Sequence, residues 1–305
     1  MCWVEYQNGN YTVKLNLENG TKIRSTEESE FIPDRVESMD VKITNQCQHN
    51  CGFCHEDSVP DGNKASLVDI YDFAKSLPPH TEIALGGGNL MEDPWHTEEA
   101  LKIFKTAGAV CSITVRQDDF VKDYGWIAEW KKLSLVYGIG ISLLNVNDPS
   151  FWALYDMTPT AVIHTIAGIL TQKDMNVLAE HKAKVLVLGY KHLRRGETYF
   201  IDNQERIKKN IDFLSKYAYS WSKKLEVLSF DNLALEQLDI RSKVPAIVWD
   251  YFYMGDDGTT TFFVDLVEKE YARSSTYPVR HKILDKTISQ MYKLVAYEKE
   301  VDNAY

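Results

Sequence analysis

Along most of the chain, apolar positions recur first with the period of a strand and then with the period of a helix. Residues 11–17 alternate apolar and polar side chains between the turn signals Asn8-Gly9-Asn10 and Glu18-Asn19-Gly20. That pattern predicts a short β preface over residues 1–38. Pro33 and the acidic run Glu27-Glu28-Ser29-Glu30 read as a linker. From residue 39 a regular alternation begins. Strands are predicted at 39–44, 82–85, 110–115, 135–144, 161–167 and 184–190, and helices at 66–77, 97–107, 124–133, 149–155, 172–180 and 204–219. Leu67, Ile70, Phe73, Ala74 and Leu77 give the first helix its apolar face, with Ser66 as N-cap. Gly108 stops the second helix. Strand–helix units repeated in this way imply a parallel sheet covered by helices. Six units are too few for a closed eight-fold barrel and fit an open, partial one.

After residue 225 the rhythm changes. One more strand is predicted at 225–230 and a short helix at 233–238. The β-rich stretches 248–254 and 259–267 flank Gly255-Asp256-Asp257-Gly258. An Asp-Gly turn between β-rich runs predicts a hairpin. Paired aspartates at a hairpin tip also occur in two-metal polymerase sites, but no basic template channel or further carboxylate motif accompanies them, and the turn alone explains the stretch. Residues 281–299 predict a terminal amphipathic helix. The expected fold class is α/β, a partial (β/α)6 barrel with an N-terminal β extension and a C-terminal β-hairpin plus helix. The expected division is 1–38 for the extension, 39–225 for the barrel core, and 226–305 for a segment closing the barrel.

Composition narrows the function classes. With 44% hydrophobic residues in 305, a sizeable core is available. The net charge of −10 speaks against a broad surface for duplex nucleic acid, which needs excess Lys and Arg, and leaves room for a nucleotide. No apolar run of about 18 residues is present, so no transmembrane helix is predicted. The opening Met1-Cys2-Trp3-Val4-Glu5 lacks a basic region followed by an apolar run, so no signal peptide is expected. Clustered cysteines without export signals read as metal-binding in a reducing cytoplasm.

Those cysteines carry the chemistry. Of five in the chain, Cys47, Cys51 and Cys54 fall in Cys47-Gln48-His49-Asn50-Cys51-Gly52-Phe53-Cys54, and Cys2 and Cys111 are remote. Three thiols on one loop hold a metal or cluster and leave one coordination position open, as catalysis at a metal requires. Thiolates are the natural ligands of iron–sulfur clusters. Three other readings compete: a zinc tetrahedron of the three thiols with His55, giving a structural or interaction protein; a C-x-x-C-H haem attachment; and ordinary buried cysteines.

The C-x3-C-x2-C spacing, with aromatic Phe53 before the last Cys, follows a first strand and opens a βα series. In this the chain resembles the radical S-adenosylmethionine (SAM) superfamily over about residues 39–225. It is similar to small stand-alone members with a Gly-Gly-Gly-Asn motif, and no second cysteine set for an auxiliary cluster follows. The resemblance implies a partial (β/α)6 barrel. It implies a [4Fe–4S] cluster on Cys47, Cys51 and Cys54, with the fourth iron chelating SAM. Reductive cleavage of SAM would yield a 5′-deoxyadenosyl radical that abstracts hydrogen from a small-molecule, nucleotide or peptide substrate, and a glycyl-radical-enzyme activase is the alternative within that chemistry. Electrons would come from a reductant such as flavodoxin or ferredoxin.

Residue by residue, the resemblance places Phe53 beside the SAM adenine. Gly86, Gly87, Gly88 and Asn89 stand at the motif that receives the SAM amino group, with Asn89 where an acid is usual. Ser142 stands at the ribose. Ile166 stands at the adenine, in a partial match where His164 replaces a glycine. By position at strand ends, Arg116, Gln117, Tyr190 and Lys191 are substrate-pocket candidates. Arg194 and Arg195 form a basic pair suited to a carboxylate or phosphate, and His55-Glu56 follow the cysteine loop within reach of substrate.

Overall fold

The computed structural model describes residues 3–18 and 20–298. Cys2, Asn19 of the second turn signal and residue 299 of the terminal helix lie outside them. Strands β1 (Trp3–Asn8), β2 (Tyr11–Asn16) and β3 (Lys22–Ser25) form the expected β preface, and pair antiparallel. A ten-stranded sheet follows. In chain order its parts are β4 (Ser38–Thr44), α1 (Leu67–Ala74), β5 (Glu82–Gly87), α2 (Pro94–Thr106), β6 (Val110–Arg116), α3 (Gln117–Lys122), α4 (Tyr124–Lys132), β7 (Gly138–Ser142), α5 (Pro149–Asp156), β8 (Ala161–Ile166), α6 (Gln172–Glu180), β9 (Lys184–Leu188), α7 (Arg195–Ser222) and β10 (Val227–Phe230). Then come α8 (Asn232–Gln237), α9 (Ala246–Phe252), β11 (Thr261–Asp265), β12 (Glu270–Ala272), β13 (His281–Lys282) and α10 (Ile288–Tyr297).

The spatial order is β10-β9-β8-β7-β6-β5-β4-β11-β12-β13. All pairs from β10 to β11 are parallel, and β12 and β13 finish the edge antiparallel. The parallel βα series is the expected one. It is extended by β10 at one edge and, beyond the expectation, by β11 alongside β4. The strands alternate between outer and inner positions, with a register shift between Lys42 and Thr44 at the end of β4. Val41, Ile83, Ile113, Ile141, Ile163 and Val185 point outward and are buried under the helices. From β4 to β7 the inward positions are small or polar, and Asp40, Ala84, Ser112, Gly138 and Gly140 line a central cavity of about 800 Å³ together with His164 and the apolar Val162, Leu186 and Leu188 of β8 and β9. A closed barrel fills its interior with branched apolar side chains; here the inner face keeps a lumen.

Three elements differ from expectation, one of them the terminal helix, which begins only at Ile288 because His281–Lys282 pair as strand β13 at the sheet edge. The stretch 248–254 is not a strand but helix α9. Pro245 opens it with its fixed φ of −56°, and Val248 and Trp249 N–H both return to Pro245 O. Its aromatic residues mimic a strand in composition. Gly255–Gly258 therefore joins a helix to a strand, and the hairpin lies one step later, between β11 and β12. Helix α7 runs 28 residues, beginning nine before the expected start, with non-helical Asn203 marking a kink between its halves.

The preface closes the amino-terminal end of the lumen, where Leu15, Lys22 and Arg24 line it. Its anchor is Glu37, whose side chain is fully buried. Tyr11 Oη donates to it at 2.6 Å, Arg24 Nη2 at 2.9 Å and Asn8 Nδ2 at 3.2 Å, with Lys22 Nζ at 3.3 Å.

Candidate cluster site at the mouth of the barrel

Strand β4 ends at Thr44, and the chain leaves the sheet in a loop bearing Cys47, Cys51 and Cys54, all half-buried and free of disulfides. The loop is pinched at its base. Cys47 N donates to Val59 O at 2.9 Å and Val59 N to Asn45 O at 3.1 Å. Asn50 and Asp57 reverse the chain at φ 47° and 55°; short polar side chains visit this left-handed region most readily after glycine. Cys54 N closes the last turn on Cys51 O at 3.2 Å. Burial pushes the Cys47 thiol up, against a backbone hydrogen bond at His49, and the facing Cys51, Cys54 and Glu92 add to the rise.

Strand β5 arrives beside this root. Gly88 N donates to Thr44 O and Asn89 N to Gln46 O, both at 2.7 Å. A Cβ on Gly87 or Gly88 would lie 2.3 Å from Thr44 O or Gln46 O, so only glycine allows the approach. Gly86 differs: a Cβ there would meet nothing within 4 Å. Its bare backbone leaves an open cradle near the end of β5.

Asn89 turns its side chain to local work. Its Oδ1 accepts from Met91 N at 3.0 Å, capping the short helical turn Leu90–Glu92, and its Nδ2 lies 3.1 Å from His49 Nε2 and 3.3 Å from Glu92 Oε1. Glu92 Oε1 also accepts from Gln48 N at 3.0 Å. The acid beside the glycine run is thus Glu92, three residues past Asn89. Sequence reading missed it, although Asn-x-x-Glu before an apolar run is a capping signal.

Of the four expected pocket residues, one lines the lumen. Lys191 projects into it, 3.0 Å from His55 Nε2 and donating to Ser275 Oγ at 2.9 Å. Arg116 instead turns to the cysteine loop: Nη1 points at Cys51 Sγ at 3.4 Å, while Asp118 grips the guanidinium with two bonds of 2.8 Å. Gln117 is buried and latches β6 to the end of β7, accepting from Leu144 N and Asn145 N and donating to Asn145 O. Tyr190 is buried with its hydroxyl on Gly196 O at 2.7 Å. The last two serve the scaffold because the polar end of each meets backbone before it can reach the lumen.

Arg194 and Arg195 bind no free anion either. Arg194 Nη1 donates to Glu56 O at 2.8 Å; Arg195 donates to Asn50 Oδ1 at 2.6 Å and Ser58 O at 2.7 Å and pairs with Asp57 at 2.7 Å. They strap the cysteine loop to the start of α7. One turn on, Tyr199 packs edge-on against Phe53, centroids 5.8 Å apart, and over Gly52, where a Cβ would lie 2.9 Å from its ring. Ser142 ends β7 level with His164 on β8. Ile166 is half-buried at the end of β8. The His164 ring lies across Gly140, and burial lowers its pKa to about 4, so it is neutral. His55 is likewise lowered by burial and by Lys191, and Glu56 bridges it to Lys42 at 2.7 Å. Cys111 is a core residue whose thiol burial pushes up to about 12.

The donor set discriminates between a single ion and a cluster. Zn–S bonds of about 2.3 Å require ligand sulfurs within about 3.8 Å of one another. The three cysteine sulfurs are not so gathered. Among the described residues, the group whose ligand atoms all lie within 4.8 Å is His49, Asp118 and Asp119, where His49 Nε2 already pairs with Asp119 at 2.6 Å. Thiols spread around a loop suit a cluster, in which each thiolate takes its own iron.

No family model matches the chain, and no curated protein matches it. Solved structures do. Streptococcus suis SuiB bound to S-adenosylmethionine aligns with TM-score 0.59 and 10% identity, over 95% of this chain and 86% of that one. SuiB bound to precursor peptide SuiA gives 0.60 and 9%, over 95% and 87%. Native anSMEcpe with bound AdoMet and Kp18Cys peptide gives 0.56 and 12%, over 85% and 83%. The chain therefore has the fold of these proteins, a curled parallel α/β sheet.

Proposed function

We propose that this chain is a radical SAM enzyme, carrying a [4Fe–4S] cluster on Cys47, Cys51 and Cys54 and acting on a peptide or peptide-like substrate. One observation carries the reading. The C-x3-C-x2-C loop stands at the carboxyl end of β4, over a glycine cradle, in a fold shared with SuiB bound to S-adenosylmethionine and with anSMEcpe bound to AdoMet. That end of a parallel sheet is where such folds place their chemistry. The peptide complexes of the same two proteins support the substrate class.

When bound, the cluster supplies the electron that cleaves SAM and generates the hydrogen-abstracting radical. The chain's own residues do the rest. The three thiols would each hold one iron, and Arg116 aims an N–H at the Cys51 sulfur. The cradle at Gly86 admits the methionyl part of SAM, and backbone groups of Gly87 and Gly88 border it. Asn89 acts by holding that backbone and His49 in place rather than by offering its occupied oxygen. Phe53, Ser142 and Ile166 frame the nucleoside. Lys191 faces the substrate from the lumen wall. Enclosure by the curled sheet excludes water and positions the reacting carbon. Such chemistry fits a reducing compartment such as the cytoplasm, with flavodoxin or ferredoxin as reductant. Among the described residues no helix is long and apolar enough to cross a membrane.

The test is anaerobic iron–sulfur reconstitution, then low-temperature EPR of the reduced protein with and without SAM. A [4Fe–4S]+ signal that changes on adding SAM is expected, and Cys47→Ala, Cys51→Ala and Cys54→Ala should each abolish SAM cleavage. Stoichiometric zinc with no cluster, or cleavage retained in all three variants, would sink the assignment.

A further inference from the structure

We propose that Arg116 is a positioning residue that donates a hydrogen bond to the sulfur of Cys51 and thereby raises the reduction potential of the cluster held by the cysteine loop. This rests on the enzyme reading above; the donor itself is argued from the corner between β6 and α3.

Arg116 is the last residue of β6 and the N-cap of α3, and its side chain does no capping there. Stability alone favours Ser, Thr, Asp or Asn at such a position. The guanidinium is divided along its edges instead. Nε and Nη2 donate to Asp118 Oδ1 and Oδ2, both at 2.8 Å, and Nη1 is left to point at Cys51 Sγ at 3.4 Å. A two-point grip on a planar group fixes the plane, and so fixes the direction of the remaining N–H. A lysine ammonium is a single point and cannot reproduce both contacts.

The corner that carries the arginine is itself held on both sides. Gln117 accepts from Leu144 N and Asn145 N and donates to Asn145 O, which ties the corner to the end of β7. Asp119 meets His49 Nε2 at 2.6 Å, which ties it to the cysteine loop. The other cations around that loop are spent on oxygen or nitrogen. Arg194 and Arg195 donate to Glu56 O, Asn50 Oδ1 and Ser58 O. Lys42 meets Glu56 and Asp265, and Lys191 meets His55 and Ser275. Among the described residues, Arg116 is the cation whose N–H reaches a cysteine sulfur.

The effect on potential follows from charge. Reducing [4Fe–4S]2+ to [4Fe–4S]+ adds one electron, supplied by the same one-electron reductant that the enzyme reading requires, and part of the added charge falls on the ligand sulfurs. A cationic N–H bonded to one of those sulfurs therefore binds more strongly in the reduced form and favours it. Hydrogen bonds to sulfur are among the levers that set cluster potentials. The guanidinium stays charged at every pH the protein meets, so the bias is constant.

The test uses the full chain, reconstituted anaerobically, with the cluster midpoint read by EPR along a dithionite titration. SAM affinity is measured separately on the same samples. Arg116→Met should make reduction about tenfold less favourable, the scale of one charge-assisted bond, which for one electron lowers the midpoint by about 59 mV. Arg116→Lys keeps the charge but loses the fork, and its midpoint should fall too. Lys122→Met removes an exposed cation at the end of α3 and should leave the midpoint in place. An unchanged midpoint in Arg116→Met, with or without weaker SAM binding, overturns the proposal. So does a wild-type midpoint in Arg116→Lys, or an equal fall in Lys122→Met, since either makes charge alone responsible. Should the Arg116 variants not load iron, wild type labelled with guanidino-15N arginine decides: pulsed EPR of the reduced cluster should show a 15N coupling, and its absence overturns the bond. The failures are distinguishable. A SAM-sensitive cluster whose midpoint ignores Arg116 removes this role alone, whereas wild type that assembles no cluster removes the enzyme reading and this role with it.

Discussion

At the scale of single residues, the most consequential side chain outside the candidate site is Glu37. Burial alone would raise its carboxyl, but Lys22 and Arg24 outweigh burial and hold it below the ordinary carboxylate range. Removing one member of such a buried set leaves the others unpaired, so Glu37→Gln should cost about 3 kcal/mol in urea unfolding. A depressed carboxylate contributes stability that is present above its unfolded pKa and lost as pH falls through its folded one. Wild type should therefore lose stability below the ordinary carboxylate range more steeply than Glu37→Gln; parallel pH profiles would contradict this. Gly140 gives a second case. A Cβ there would stand 2.3 Å from the His164 ring, so Gly140→Ala should lose about 1–3 kcal/mol by overpacking. His164→Ala in the same chain should recover most of it, measured by the same unfolding. At this scale legibility was uneven. Cys47, Cys51 and Cys54 were readable because spacing alone puts thiols on one loop. Gln117 and Tyr190 were misread because a strand-end position does not reveal that a polar tip will meet a neighbouring carbonyl first.

Elements are legible when their period is long and their burial one-sided, and the βα series met both conditions. Helix α9 met neither: it is seven residues long, none of them buried, so periodicity had no core to report. The first half of α7 was unreadable for another reason. From Arg195 to Asn203 it has little apolar face because it packs on the cysteine loop through Arg195 and Tyr199. That packing has a measurable consequence. The bonds of Arg195 to Asn50, Asp57 and Ser58 tie both limbs of the cysteine loop to the start of α7. Charge-assisted bonds of this kind are worth about 1.4 kcal/mol or more each, a factor of about ten in local opening. Arg195→Ala should leave the circular dichroism spectrum unchanged while raising proteolytic cleavage between residues 48 and 58 about tenfold. Unchanged cleavage would show that the loop holds itself.

On the scale of the whole molecule, the feature no local pattern announces is that β11, about 220 residues after β4, pairs beside it in parallel. Its bond to the rest is electrostatic as well as a backbone ladder. Lys42, buried on the inner face of β4, meets Glu56 of the cysteine loop at 2.7 Å and Asp265 at the end of β11 at 3.0 Å. Burial works against the ammonium, but the two carboxylates prevail and its pKa is raised. A raised lysine stabilises the fold fully below its unfolded pKa and loses that contribution only as pH climbs through the folded one, so the link persists across the neutral range. Lys42 thus joins three distant parts of the chain: the first barrel strand, the cluster loop and the added strand. Lys42→Met leaves two buried carboxylates facing each other and should cost about 3–5 kcal/mol. The triple change Lys42→Met, Glu56→Gln, Asp265→Asn replaces the charges together and should recover most of that loss. If the three single costs simply add, the residues act independently, and the seam between β4 and β11 is held by its backbone ladder and apolar packing alone.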